Sequence, residues 1–534
     1  MRGTGSKRAI PTPESIPPKT ARPLRSAQIP NAIPLSLTRQ SRQPQSGNIL
    51  RCPLAHFYSA VDSSDVLLLA ATFEKAQTTD MAKNILIFVT DDHGQWALGS
   101  SGNRHIQTPN LDHLAKNGTV MCNAFTPTPV CSPARACILT GKTSSQHGIH
   151  DYLDGHSKFF ERDWLEGQDT LPEILQKCGY QTALVGKWHL GNDTKPARGF
   201  EVWGALAGDY PIDAAGPARY CVDGGLKTIS GPKASVITDA AVNFLRTRDK
   251  DRSFFLFVGH VSTHSPWEGH PTRLVERYAA HDFAEVPQNE TYAFGKQNLE
   301  SKELIDRTNP KAALAQYYAS VASIDEGVGR LIDELEATGL RDDTIIIYTS
   351  DHGLNCGHHG IWGKGNGTLP LNMVEETIRV PMIASGAGVQ RDQQLTEFVD
   401  HLDLFQTVLD FADANEKGNA TYPGRSFKDI LSGTNGAAWR DQQFCEYGNV
   451  QMIRDQRFKL IKWNDSGICR LFDLENDPRE ECNLIAQLEH AERIHKMLAH
   501  LHDYYNRFSL PEKSGTRPEG PEPTNMSSPW SNQD

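Results

Sequence analysis

Five short runs of the chain are almost wholly apolar: Ile85–Val89, Thr182–Val185, Phe254–Val258, Ile345–Thr349 and Pro381–Ala384. Stretches with apolar residues every three to four positions lie between them, as over Leu111–Asn117, Leu171–Lys177, Val236–Arg246 and Ala312–Glu336. Strands without polar alternation, separated by helices, predict an α/β fold with a large, mainly parallel sheet flanked by helices on both faces. Beyond Ser432–Asn435 the pattern changes to alternating segments, Phe458–Trp463 and Leu471–Leu474, then a helical stretch over Ala486–Asn506. This predicts a smaller C-terminal subdomain, an antiparallel sheet closed by a helix. The expected organisation is an N-terminal extension over 1–80, a main α/β portion over 81–435, the subdomain over 436–510 and a tail over 511–534.

Composition sharpens this picture. The chain has 534 residues, 38 % of them hydrophobic, with 54 Lys+Arg against 65 Asp+Glu and a net charge of −11. The acidic balance argues against nucleic-acid binding. No apolar run approaches the roughly 18 residues needed to span a bilayer. Up to Asp80 the basic residues outnumber the acidic ones by ten to five, and residues 1–50 hold eight prolines and no aromatic residue. Such a stretch cannot build a core and reads as a disordered arm. Met81 directly precedes the first strand. No clean apolar segment follows the basic start, which favours a cytoplasmic protein over an exported one. Ten cysteines with no CxxC pair exclude a disulfide framework or zinc ribbon, while one or two disulfides stay open.

Ligands in parallel sheets bind beyond the carboxyl ends of the strands, and four runs end there in charged residues. The first leads to Asp91, Asp92 and His93, the second to Lys187, Trp188 and His189. The third leads to His260 and His264, and the fourth to Asp351 and His352. One aspartate at a strand end is an ordinary turn residue. Four ends bearing carboxylate, lysine and imidazole point instead to one site. Asp91, Asp92 and Asp351 supply hard oxygen ligands for a divalent cation and His352 a nitrogen. Adjacent carboxylates repel unless a cation or proton sits between them.

Two further segments carry chemistry. Cys131-Ser132-Pro133-Ala134-Arg135 opens an apolar helical stretch, with Ser132 and Pro133 suited to its start. A thiol at that N-terminus, with Arg135 one turn on, is expected to be acidic, whereas Cys122, Cys137 and Cys178 read as small buried residues. Gly360-Ile361-Trp362-Gly363-Lys364-Gly365 presents one lysine from a glycine-rich loop, fit for an oxyanion.

Together these segments resemble the type I sulfatase family of the alkaline phosphatase-like superfamily. Cys131-Ser132-Pro133-Ala134-Arg135 followed by Leu139-Thr140-Gly141 resembles its C-x-P-x-R…LTG signature. Thr108–Asp112, Gly186–Gly191, Ile361–Gly365, Arg379–Pro381 and Leu471–Pro478 fit as well, so that the resemblance spans about residues 83 to 505. It implies that Cys131 is converted by a formylglycine-generating enzyme to formylglycine, whose hydrate is the nucleophile towards a sulfate monoester. A second hydroxyl on that hydrate offers an exit for sulfate that serine or cysteine lacks. The resemblance further implies a calcium ion held by Asp91, Asp92, Asp351, His352 and the modified Cys131. Many members carry asparagine where this chain has His352. Arg135 is implied to stabilise the hydrate, Lys187 and Lys364 to bind sulfate oxygens, His189 to assist the nucleophile, and His264 to protonate or hold the leaving oxygen.

A sulfated carbohydrate is the expected substrate, with His150, Asp151, His156, Trp267 and His359 as candidates to read sugar hydroxyls or to serve as ordinary loop residues. The alternatives are a phosphodiester or phosphonate hydrolase of the same superfamily, and a binding protein that leaves Cys131 unmodified.

Overall fold

The computed structural model describes residues 83–154, 160–208, 214–289, 291–298, 309–414, 421–434 and 438–525. The expected N-terminal arm, Met81, Cys52 and His156 lie outside these residues.

Ten strands form the main sheet: β1 (Asn84–Thr90), β2 (Gly118–Phe125), β3 (Gln181–Gly186), β4 (Val202–Leu206), β5 (Ala218–Val222), β6 (Gly225–Ile229), β7 (Phe254–Gly259), β8 (Thr344–Ser350), β9 (Met382–Gly386) and β10 (Gln393–Asp400). Their order is β10-β2-β9-β8-β1-β7-β3-β4-β5-β6. The centre, β8-β1-β7-β3-β4, is parallel throughout. All seven residues of β1 and of β8 are buried, as continuous apolar runs require of a sheet covered on both faces. One face packs on the Cys131–Thr140, Leu171–Lys177 and His401–Phe411 helices, the other on the Pro109–Lys116, Lys233–Thr247 and Pro310–Ala337 helices.

The Pro381–Ala384 run departs from expectation. It forms β9, which starts at Met382 and lies antiparallel to both neighbours. After β8 the chain crosses the carboxyl rim and re-enters the sheet from that same rim, without a crossover helix to carry it to the far end, so it must run back. The edge strands β6 and β10, and β5 beside β6, escaped the reading for another reason. Exposed positions interrupt each of them, and β6 shows four exposed residues of five, which removes the apolar signal.

Four more strands, β11 (Gln443–Tyr447), β12 (Val450–Arg454), β13 (Phe458–Trp463) and β14 (Cys469–Asp473), form an antiparallel sheet in chain order. Its outer face is closed by the Ala491–Arg507 helix through Met497, Leu501 and Tyr505. Its inner face packs with Phe125, Val130, Met373 and Phe398 of the main body. Residues 78–534 form one compact unit. No helix among the described residues is long and apolar enough to cross a membrane.

Candidate active site

β1, β3, β7 and β8 end on one rim and deliver their charged residues to one place. Asp91, Asp92, Asp351 and His352 are fully buried there, with Lys187 and Lys364 nearly so. Gly186 turns the chain into Lys187 with φ 93°, and a Cβ on it would strike the Gly259 carbonyl, so only glycine fits. Gly365 is similarly cramped, since a Cβ would lie 2.9 Å from Pro129 and from the Tyr447 ring. That squeeze holds the preceding Lys364 inward.

Each carboxylate has a cation. Lys187 Nζ pairs with Asp91 Oδ2, Lys364 Nζ donates to Asp92 Oδ1 at 2.8 Å, and Arg135 Nε donates to Asp351 Oδ2 at 2.9 Å. Arg135 also donates to the Lys187 carbonyl at 3.2 Å, tying the helix to β3. Burial raises the Asp91 carboxyl, but Lys187, then His264, Lys364 and Arg135, outweigh it and hold the group well below the usual range. Asp351 moves the other way, raised by burial and by the neighbouring Asp91.

Cys131 opens the Cys131–Thr140 helix as its first residue. Its Sγ lies 3.3 Å from Asp91 Oδ1 and 3.4 Å from both His352 Nε2 and Lys364 Nζ. The thiol is not acidic, contrary to the expectation from its helix end. Burial and then the Asp91 charge push it far up, and together outweigh Lys187 and Lys364. Ser132 does not cap the helix either, for its Oγ accepts from Leu153 N at 2.9 Å. The Leu153 carbonyl in turn accepts from His189 Nε2 at 3.1 Å, so Ser132 positions a second site residue. Of the other cysteines, Cys137 is buried as expected, Cys122 is half-buried and Cys178 is exposed. All nine described cysteines are free thiols.

His352 carries a further clue. Its Nδ1–H donates to the Gly353 carbonyl at 3.0 Å, which turns Nε2 towards the carboxylates. That nitrogen lies 3.3 Å from Asp92 Oδ1, 3.5 Å from Asp351 Oδ1 and 4.0 Å from Asp91 Oδ1. A lone pair facing three carboxylate oxygens is repulsive unless a proton or a cation lies between them. Asp92 Oδ2, also buried, has no hydrogen-bond partner. Donor atoms of Asp91, Cys131, Asp351 and His352 all lie within 4.8 Å of one another, as do those of Asp92, Cys131 and His264. The donor set is rich in oxygen, as hard divalent cations require.

The family profile described as Sulfatase matches residues 70–414, and that described as N-sulphoglucosamine sulphohydrolase, C-terminal, matches residues 357–507. The chain belongs to the sulfatase family. The sulfatase is 28 % identical over 502 residues to an N-acetylglucosamine-6-O-sulfatase of Bacteroides thetaiotaomicron, covering 80 % of this chain and 86 % of that one. It is 29 % identical over 489 residues to an arylsulfatase of Clostridium perfringens, covering 82 % and 96 %. Among solved structures, one in complex with its substrate D-glucosamine-2-N,6-O-disulfate superposes with a TM-score of 0.68 at 26 % identity, covering 80 % of this chain and 98 % of that one. The protein is thus a sulfuric ester hydrolase, and its family implies a metal ion and a formylglycine.

The sulfatase's site also draws on residues that carry no signature. Tyr317, on the long Pro310–Ala337 helix, donates to the Asp92 carbonyl at 3.0 Å and accepts from Gly94 N at 3.0 Å. Thr263 donates from N at 2.7 Å and from Oγ1 at 3.0 Å to the Asp91 carbonyl. Only their proximity to motif residues in space marks them. The candidate sugar readers are engaged by the protein itself. Asp151 accepts from Tyr447 Oη at 2.5 Å, His150 Nε2 donates to the Lys513 carbonyl at 2.8 Å, and His359 Nε2 lies 2.6 Å from Glu376 Oε2. Trp267 is packed in a core against Tyr317 and Trp362.

Proposed function

We propose that this sulfatase hydrolyses a sulfate monoester on a carbohydrate, with Cys131 converted to formylglycine as the nucleophile. Asp91, Asp92, Asp351 and His352 would hold the divalent ion, with calcium the best match to so many oxygen donors. When bound, that ion polarises a sulfate oxygen as a Lewis acid. The observation that carries this reading is His352 Nε2 turned on three carboxylates beside the Cys131 side chain, an arrangement a cation makes favourable.

The remaining roles follow from charge. Asp91, Asp92 and Asp351 are already matched by Lys187, Lys364 and Arg135. A divalent ion therefore leaves the pocket net positive, suited to an anionic ester. Lys187 and Lys364 bind sulfate oxygens and stabilise the charge that develops as the S–O bond breaks. His264, near Cys131 and Asp92, meets the leaving oxygen. Arg135 orients Asp351 and the nucleophile, and His189, held by Leu153, manages the proton of the nucleophilic residue. The carbohydrate assignment rests on the relatives named for amino-sugar sulfates.

The test is to isolate the protein from its host, weigh the peptide containing Cys131, and assay the same sample on glucosamine-6-sulfate, an aryl sulfate, a phosphodiester and a phosphonate. The expected result is a peptide lighter by the thiol-to-aldehyde difference and sulfate release fastest from the sugar. An intact cysteine in an active sample, or faster phosphodiester or phosphonate turnover, refutes the assignment.

A further inference from the structure

His105, His281 and Glu285 stand apart from the acidic site, on two loops with no part in it. Their donor atoms all lie within 4.8 Å of one another. His281 Nε2 is 3.3 Å from Glu285 Oε1, and the two imidazole rings lie 4.6 Å apart between centroids, tilted by 45°. Two imidazoles and a carboxylate make a donor set for borderline divalent metals of the zinc type rather than for calcium. Zinc bonds of 2.0–2.1 Å in a tetrahedron place donors about 3.3 Å apart. The His281–Glu285 pair already has that spacing, and only the exposed His105 ring has to swing inward.

The surroundings support the donors as a second shell does in metal sites. Tyr318 Oη donates to Glu285 Oε1 at 2.7 Å and accepts from Asn103 Nδ2 at 2.9 Å. Asn103 Oδ1 accepts from the backbone N–H groups of His105 at 2.9 Å and Ile106 at 3.1 Å. One asparagine thus fixes both the backbone carrying His105 and the tyrosine that orients Glu285. Glu285 Oε2 is buried and has no hydrogen-bond partner. A buried carboxylate oxygen left without a donor is costly, and a metal ion bound at this carboxylate would remove that cost.

We propose that His105, His281 and Glu285 form a second, zinc-class metal site that clamps the 103–106 loop to the segment following the Thr272–Tyr278 helix. The one remaining coordination position of such a tetrahedral ion is open to water. The test uses the full chain with calcium in excess to fill the acidic site, dialysed against low-micromolar Zn²⁺. The wild type is expected to retain one Zn²⁺ more per chain than His105→Ala and His281→Gln, with at least tenfold weaker binding in each variant. Circular dichroism and sulfate release of both variants should match the wild type. Equal zinc content in wild type and variants overturns the proposal. Co²⁺ absorption in the unmutated protein gives a second readout independent of the variants' folding. A d–d band displaced by Zn²⁺ but not by Ca²⁺ is expected, and its absence refutes the site.

Discussion

Glu446 lies on β11, 301 residues from the serine it bonds, and joins the C-terminal sheet to the turn behind the Cys131 helix. Its Oε1 accepts from Ser145 N at 2.8 Å and its Oε2 from Ser145 Oγ at 2.6 Å. It is fully buried without a cation partner, and burial raises its carboxyl from 4.5 to about 7, against the pull of its hydrogen bonds. In the unfolded chain the same carboxyl ionises near 4.5, so between these values the folded state binds the extra proton. The stability that Glu446 contributes is therefore fully present below pH 4.5 and is lost as pH rises towards 7. The separation of about 2.5 units corresponds to roughly 3 kcal/mol, at about 1.4 kcal/mol per unit. Glu446→Gln keeps the shape and an acceptor for Ser145 N but cannot titrate. Urea midpoints of wild type and variant at pH 5, 6, 7 and 8 separate this effect from the many groups common to both. The variant should gain on the wild type by roughly 3 kcal/mol in total from pH 4.5 to 7 and no further above it. A difference that stays constant with pH, or one that shrinks, refutes the reasoning.

Lys459→Met removes the buried ammonium 3.1 Å from Glu375 Oε1 and 2.6 Å from Glu480 Oε1. It should cost about 3–5 kcal/mol in urea unfolding, partly recovered by adding Glu480→Gln. Lys364→Met should lower kcat/KM for a sugar sulfate by roughly 10²–10³, or about 2.7–4 kcal/mol; a change below threefold excludes it from the site. Chelating the divalent ion should abolish sulfate release while far-ultraviolet circular dichroism stays unchanged, and added Ca²⁺ should restore it.

Four of the five central strands and most of the candidate site were legible in the sequence, because both are local patterns. A parallel strand covered on both faces must be largely apolar, and β1, β3, β7 and β8 are. The candidate site residues follow within a few positions, so Asp91-Asp92, Lys187-Trp188-His189 and Asp351-His352 stand out unaided. What packing alone decided could not be read this way. Tyr317 reaches Asp92 across 225 residues, and the raised Glu446 carboxyl exists only because the C-terminal sheet and the Ser144–His147 segment bury it between them. Cys131 shows the boundary most clearly. Its position at a helix start is written in five consecutive residues, and a helix end favours an acidic thiol. Tertiary structure placed that thiol out of water beside Asp91, and desolvation with a neighbouring negative charge outweighs a partial helix charge. Local sequence determines where the chain turns and which residues it offers; the dielectric and the charges around them come from segments hundreds of residues away.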